Sequence, residues 1–407
     1  MTVALEHLNL RHLRAVVAVG ARGTVTAAAN DVALSQPALT QGLAKLETAL
    51  GQPLFDRHAD GMRATDAGAI VIARTTAAAR LLADATRAIR GRGAAHGFAR
   101  ADLLLTMTQL RALAALAREG SYVAAARATG VTQPAVHRAI RDIERLCGVA
   151  LVERRGRGVM LTAAGVRLGR AVRLALVEIG AALDEVAALS GLDHGRIAIG
   201  AMPLARAWLL PTTIAHFHRD EPHMVFDVAE GAYSELVEPL RDGEFDLLLG
   251  ALRESPPGPD LIQQPLFVDR LAVVARAAHP VMRDGLRPDL ATLATQAWLA
   301  PRRGTPLRHL WEGLFAESGL PLPPVWIECG SVMMLRALML SGDYLTLLSP
   351  EQVAPDLDGG VLRRIELDSP SMRRTIGLTV RAGWRPTAAQ DRFLARLRAV
   401  VATRTSA

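Results

Sequence analysis

Cysteine is scarce in this chain of 407 residues: Cys147 and Cys329 stand far apart, with no CxxC and no His-rich partner. That excludes a disulfide framework and a thiolate metal site, and it suits a reducing cytoplasm. Long apolar runs are missing too. No stretch of about 18 uncharged apolar residues occurs, so no membrane span is expected. The opening residues MTVALEHLNLRHLRAVV carry Glu6, Arg11 and Arg14 and lack an apolar core ahead of a small-residue cleavage site, so no signal peptide is expected. Lysine is nearly absent, Lys45 being the only one, and positive charge falls to arginine. Catalytic signatures are also missing: there is no Gly-x-Ser-x-Gly elbow, no Walker loop, no His-Glu-x-x-His and no GxGxxG after a strand. His279 and His309 have no evident nucleophile or metal-ligand spacing, so no enzyme activity, cofactor or metal is expected.

What remains is ample for folding. Half the residues are hydrophobic and 21% are charged, which supplies a core and argues against wholesale disorder. At roughly 100–200 residues per domain the length implies two to four domains. The net charge of +7 is unevenly placed: 24 Arg/Lys face 16 Asp/Glu through Gly195, and 23 face 24 from Arg196 onward. A basic surplus confined to one half is the footprint expected of a polyanionic partner, or else compositional drift in an arginine-rich chain.

The basic half repeats itself. A shift of 97 residues lays 13–68 on 110–165 without a gap, and about a third of the positions are identical. Ala27-Ala28-Ala29 meets Ala124-Ala125-Ala126, Gln36-Pro37-Ala38 meets Gln133-Pro134-Ala135, and Glu47 meets Glu144. Gly51, Leu54, Arg57, Gly61, Thr65 and Gly68 meet Gly148, Leu151, Arg154, Gly158, Thr162 and Gly165. The period is too long for a solenoid. It marks a duplicated small domain.

Copy two is the easier to read. Residues 108–118 have helical apolar spacing at Leu110, Leu113, Ala114, Leu116 and Ala117. Gly120 ends that helix and Ser121 can cap a second one through AAARATG. Thr132 is an N-cap candidate for a third helix from about Pro134 to Cys147, with the proline in the first turn, where it costs little. Its apolar face is Val136, Ile140, Ile143 and Leu146; its other face is His137, Arg138, Arg141 and Arg145. That is a helix-turn-helix with a basic outer face. Leu151-Val152 and Val159-Met160-Leu161, around a tip with Arg154, Arg155 and Arg157, form a hairpin wing. Glu47 and Glu144 are expected to make structural salt bridges.

Each copy resembles the winged helix-turn-helix of LysR-type transcriptional regulators. Copy one carries Ala28-Ala29, Ser35-Gln36-Pro37-Ala38, Leu46-Glu47, Leu50-Gly51, Leu54-Phe55-Asp56-Arg57 and Thr65-Asp66-Ala67-Gly68. Copy two carries Gly120-Ser121, Ala125-Ala126, Thr132-Gln133-Pro134-Ala135, Ile143-Glu144, Cys147-Gly148, Leu151-Val152-Glu153-Arg154 and Leu161-Thr162-Ala163-Ala164-Gly165. Most members of that family have one such domain, and the duplication leaves open which copy reads DNA. The resemblance implies DNA contact from Ser35, Gln36, Pro37, Thr40, Gln41, Lys45, Arg57 and Arg63 in copy one. In copy two it implies contact from Thr132, Gln133, Pro134, His137, Arg138, Arg141, Arg154, Arg155 and Arg157. Base readout needs side chains that reach the major groove and phosphate grip needs charge beside it. On that ground copy two should dominate affinity, with copy one an auxiliary reader or a dimerisation module.

Residues 66–90 and 163–190 lack proline and carry apolar stripes of helical period. Helices that long and amphipathic pair with a partner helix; in the family the linker helix dimerises, which suits operators with two half-sites. Gly91 to Gly97 reads as a flexible linker and Gly191 to Gly195 as a hinge. The expected organisation is a winged domain at 1–65, linker helix and linker at 66–100, a second winged domain at 101–162, a dimerising helix and hinge at 163–195, and an effector domain at 196–407. The homo-oligomer would be a dimer or tetramer, and RNA polymerase is a further candidate partner.

From Arg196 strands and helices alternate: strands at 197–200, 224–229 and 245–250, with helices at 203–219 and 233–242 between them. The alternation implies an α/β, mostly parallel sheet covered on both faces. It resembles the periplasmic-binding-protein-like effector domain of the same family, with one subdomain at about 196–267 and 370–407 and another at about 268–369. Such domains hold a small molecule at strand carboxyl ends and helix N-termini. The matching positions are Ala201, Met202, Pro203, Gly231, Ala251, Arg302, Arg303, Thr305, Ser331, Val332 and Ser349. Arg302 or Arg303 could grip a carboxylate. GAMPLARAWLLP is closest to the members that answer to sugars or aromatic acids, so the implied effector is a small carboxylate, aromatic acid or sugar-like metabolite. An α/β enzyme or a solute-binding domain carrying DNA-binding heads are the alternatives, disfavoured by the absences above and by the basic first half.

Overall fold

The structure is a computed structural model that describes Leu5 and residues 8–59, 61–90, 97–156, 158–191, 195–255, 258–282, 288–367 and 369–405. Arg157, residues 91–96 of the linker and 192–194 of the hinge lie outside the described residues, as does the Arg155 side chain. The chain divides into two compact units, Met1–Gly195 and Arg196–Ala407.

In the first unit, copy one is α1 (Leu10–Arg22), α2 (Val25–Asp31), α3 (Gln36–Leu50), the hairpin β1 (Phe55–His58) with β2 (Gly61–Ala64), and α4 (Asp66–Arg90). After the short α5 (Ala101–Leu104), copy two repeats it as α6 (Met107–Glu119), α7 (Tyr122–Thr129), α8 (Gln133–Cys147), β3 (Val152–Arg155) with β4 (Gly158–Leu161), and α9 (Ala163–Leu189). One continuous apolar core runs through both copies, from Leu8 to Val186.

The repeated motifs have repeated causes. Thr24 and its counterpart Ser121 accept from the backbone N–H three residues on, at 3.3 and 3.1 Å, and Ser35 does so at 3.4 Å, each satisfying an orphan donor at a helix start. Thr132 occupies the N-cap of α8 without a side-chain bond to the helix. Glu47 and Glu144 are structural, but not through salt bridges. Glu47 accepts the Leu54 N–H at 2.8 Å, and Glu144 accepts Leu151 N–H at 2.8 Å and Val152 N–H at 3.2 Å, tying each third helix to its wing. The hydroxyls of Thr65 and Thr162 donate to Pro53 and Ala150 carbonyls at 2.7 and 2.8 Å. A Cβ at Gly68 or Gly165 would fall 1.9 or 2.0 Å from the carbonyl oxygen of Leu54 or Leu151, so only glycine fits there.

The helices α4 and α9 pack against each other along their lengths. Their buried positions match after the 97-residue shift: Val71, Thr75, Ala78, Leu82 and Thr86 on α4, and Leu168, Val172, Ala175, Ile179 and Leu183 on α9. The pairing is antiparallel. Ser190, at the end of α9, meets Gln52 beside the start of α4 at 2.7 Å. Beyond the end of α4, Phe98 N–H donates to Leu146, beside the start of α9, at 2.9 Å. The partner that the apolar stripes call for is thus supplied by the same chain.

In the second unit the chain runs β5 (Arg196–Ala201), α10 (Leu209–Asp220), β6 (Val225–Glu230), α11 (Tyr233–Arg241), β7 (Leu247–Ala251) and β8 (Leu261–Arg270). It continues through β9 (Ala272–Arg276), α12 (Leu290–Ala294), β10 (Ala297–Ala300), α13 (Pro306–Glu317), β11 (Val325–Glu328), α14 (Val332–Ser341), β12 (Tyr344–Leu348), α15 (Ala354–Asp358) and β13 (Leu362–Ile365). It closes with β14 (Arg373–Arg381) and α16 (Ala388–Thr405). Two five-stranded sheets result, ordered β6-β5-β7-β14-β8 and β11-β10-β12-β9-β13.

Both sheets are mixed rather than mostly parallel. The chain leaves the first sheet along β8, starts the second with β9, and returns as β14, which pairs antiparallel with both β7 and β8; β9 is likewise antiparallel to β12 and β13. The helix expected from 203 begins only at Leu209. Pro211 fits the shift: it lacks the N–H that a helix interior donates, and it sits in the first turn, where that N–H would have no partner within the helix.

Candidate nucleic-acid interface and effector site

The third helix of each copy turns one face to its core and the other outward. Leu39, Leu43 and Leu46 of α3 are buried, whereas Gln36, Pro37, Thr40, Gln41 and Lys45 are exposed. In α8 Val136, Ile140 and Ile143 are fully buried, and Gln133, Pro134, His137, Arg138 and Arg141 are exposed. Each outward set, Lys45 apart, lines a shallow, open concavity of its own copy. Thus helical period places the side chains that could reach base edges on one surface and the packing side chains on the opposite one.

Local bonds decide how free these groups are. The Thr40 hydroxyl donates back to the Gln36 carbonyl at 3.0 Å, and the His137 ring rests against Tyr122 at 5.1 Å between centroids. Burial, aided by the Glu144 charge and opposed by Arg141, pushes the Tyr122 hydroxyl above its usual pKa. Arg145 forms an ion pair with Asp142 one turn earlier, which leaves Arg138 and Arg141 as the outward cations of α8. Arg57 and Arg63 project from the first wing and Arg154 from the second, all exposed.

The effector positions fall at the ends of two sheets. Met202 N–H donates to Leu249 at 3.0 Å and Gly231 N–H to Ala201 at 3.4 Å, which brings Ala201, Met202, Gly231 and Ala251 to one end of the first sheet. Ala201 and Met202 are buried core, with Met202 packed among Leu236, Val237 and Leu248; Pro203 is exposed. In the second sheet Cys329 N–H donates to Ala300 at 3.0 Å, so Arg302, Arg303 and Ser331 gather at one end. Thr305 and Ser331 cap α13 and α14, and Val332 is the half-buried first residue of α14. Arg303 pairs with Glu328 at 3.1 Å, while Arg302 is exposed.

Ser349 is held from inside the protein. It is fully buried and its hydroxyl donates to Asp269 at 2.7 Å, while Arg374 holds the other Asp269 oxygen at 2.8 Å. This side chain ties the crossing strands together. A cavity of about 620 Å³ lies against those strands, lined by residues that include Trp208, Asp269, Arg270, Arg364, Glu366 and Arg373, and by none of the eleven expected effector residues.

Two groups escaped the sequence reading. Arg308, 5% exposed, lies between Glu312 at 2.6 Å and Glu328 at 3.2 Å, over Trp311. The Arg253 guanidinium covers the Tyr233 ring at 4.3 Å, near the strand ends that carry Gly231 and Ala251. Each stands one helical turn or one loop beyond a strand end, a place that spacing alone does not single out. Among the described residues no cluster could hold a metal ion, and no helix is long and apolar enough to cross a membrane.

Comparison with known families decides the assignment. Residues 10–69 and 107–166 each match the bacterial regulatory helix-turn-helix protein, lysR family, and residues 190–402 match the LysR substrate binding domain. The chain belongs to the LysR family. It is similar to the HTH-type transcriptional regulator GalR of Pseudomonas putida, with 32% identity over 399 residues, 98% of this chain and 99% of the relative. Its fold is that of a full-length OxyR variant from Pseudomonas aeruginosa (TM-score 0.53, 23% identity, 73% of this chain and 94% of the other). Full-length CbnR complexed with its target DNA gives TM-score 0.50 and 22% identity over 72% of this chain and 98% of the other. This LysR chain is therefore a DNA-binding transcriptional regulator with an effector-binding domain, and not an enzyme.

Proposed function

We propose that the outward faces of α3 and α8 are the DNA-reading surfaces of this regulator, with the wings gripping phosphate. One observation carries this reading: every expected reader on the two helices is exposed, while the opposite faces are sealed in the core. Arg138 and Arg141 match guanine edges bidentately and Gln133 or Gln36 matches adenine, whereas Arg57, Arg63, Arg154 and Lys45 suit phosphate. The greater outward charge of α8 makes copy two the larger source of affinity.

The strand-end positions of the second unit would take the effector. Arg302 is the cation best disposed toward a carboxylate, since Arg303 already has Glu328. Aromatic acids and sugar-like metabolites remain the effector classes to try first. The protein would act in the cytoplasm as a homo-oligomer, with RNA polymerase a further partner of the bound form.

Salt-titrated fluorescence anisotropy of the full chain on duplexes selected from a random pool tests the DNA reading. Arg138→Ala with Arg141→Ala should weaken binding sharply and relax the base preference, and Arg154→Ala should flatten the salt slope by roughly 0.9 for the phosphate no longer neutralised. Unchanged affinity and slope would reject it.

A further inference from the structure

The pairing of α4 with α9 has an unequal charge pattern. Arg74, 3% exposed, donates to Glu185 at 2.8 and 2.9 Å and to Glu178 at 3.1 Å. The 97-residue shift converts Arg74 into Ala171, Glu178 into Leu81 and Glu185 into Ala88. Two α4 helices paired in the same way would bury guanidiniums against Leu81 and Ala88. Two α9 helices would turn carboxylates toward Ala171. Pairing two α4 helices would bury Arg74 without these carboxylates, and pairing two α9 helices would forgo the Arg74 fork, so the sequence favours the unlike pair.

The contacts are otherwise reciprocal, as in a two-fold interface. The α3 helix touches α9 and α8 touches α4. Gln52 of copy one holds Ser190, and Leu146 of copy two holds Phe98, which in turn accepts from Arg90 at 2.8 Å. Arg14 of α1 also donates to the carbonyls of Asp102 and Leu103. On the paired helices themselves little apolar surface is left: among the described residues no exposed large apolar side chain lies on α4, and on α9 only Val166 and Leu189, near its two ends.

We infer that a single chain presents both readers of a two-part operator and that the two half-sites differ in sequence. This rests on the DNA reading proposed above. The two outward faces differ in chemistry: Gln36, Thr40, Gln41 and Lys45 on one, Gln133, His137, Arg138 and Arg141 on the other. Arginine pairs with guanine edges and glutamine with adenine. The half-site under copy two is therefore the richer in guanine, and the operator is not a palindrome. A duplicated head inside one chain replaces the symmetric pair that two chains would supply.

The test uses the full chain and the duplex it selects from a random pool. Titration of that duplex, trimmed to a single two-part site, into the protein, followed by mass photometry, should saturate at one duplex per chain whatever the number of chains in the homo-oligomer. Hydroxyl-radical footprints should show Gln41→Ala with Lys45→Ala losing protection over one half, and Arg138→Ala with Arg141→Ala over the other. Each double substitution should lower affinity at least about fivefold. These side chains are exposed, so the fold is not at stake. Saturation at one duplex per two chains, or loss of protection in both halves from either substitution, would overturn the inference and leave the DNA reading standing. A pool that yields no preferred sequence would remove the DNA reading itself and the inference with it.

Discussion

Arg74 and Glu185 face each other as a fork, two guanidinium N–H groups on two carboxylate oxygens at 2.8 and 2.9 Å, between helices from opposite copies of one repeat. Burial works against the Arg74 charge, yet the bonds and charges of Glu185 and Glu178 outweigh it and hold its pKa above the ordinary guanidinium value. Removing one member strands the others. Arg74→Ala should cost the first unit about 3 kcal/mol, read as a lower urea midpoint of the full chain. The triple substitution Arg74→Met, Glu178→Leu and Glu185→Leu should regain most of it, because an apolar set has no charge to desolvate.

Ala33 is the described non-glycine residue with a left-handed backbone, φ 51°, at the turn before α3. Its counterpart is Gly130, φ 69°, where the same turn carries no Cβ. An L side chain there costs about 1 kcal/mol. Ala33→Gly should raise the melting temperature of the first unit by about 2–4 °C, and Gly130→Ala should lower it by a similar amount. Calorimetry of both variants measures the difference between the copies directly.

The repeated motifs made the first half legible. Ser-Gln-Pro-Ala, Leu-Glu and Thr-x-x-Gly have local causes: a cap, a carboxylate on a nearby N–H, and a carbonyl too close for any Cβ. Local causes leave local spacing. The long helices were legible as helices, but the partner of α4 was not, because the answer depends on Arg74 meeting Glu178 and Glu185 more than a hundred positions away. In the second half the strands were readable and their directions were not. The place of β14 between β7 and β8 is a crossover decision that no window of sequence records. The tie from Ser349 to Asp269 was out of reach for the same reason, since the two lie 80 residues apart.

Glu144 gives a test of the caps. It accepts two backbone N–H groups at the start of the second wing, at 2.8 and 3.2 Å. Glu144→Ala should cost about 2 kcal/mol, since bonds to a charged acceptor are the stronger kind and the Leu151 N–H is left unpaired. Hydrogen exchange should show early loss of protection at Leu151 and Val152 while the second unit is unchanged. If the exchange rates there match the parent protein, the carboxylate does not hold the wing.

Cys147 supplies a pH signature. It is fully buried at the end of α8, and burial, only partly opposed by the Arg90 charge, pushes its thiol from 9.0 up to about 11. A raised thiol pKa means that the folded state binds its proton more tightly than the unfolded chain. The contribution is full below pH 9 and is lost as pH rises toward 11, because the unfolded state ionises first. Cys147→Ala should therefore flatten the decline in urea stability over that window. At pH 8 about one thiol in a thousand is ionised, so alkylation of native Cys147 should run at the rate of unfolding rather than at that of a free thiol. Rapid labelling of the folded chain at Cys147, mapped by peptide mass, would show that the α8 terminus opens far more readily than its packing implies.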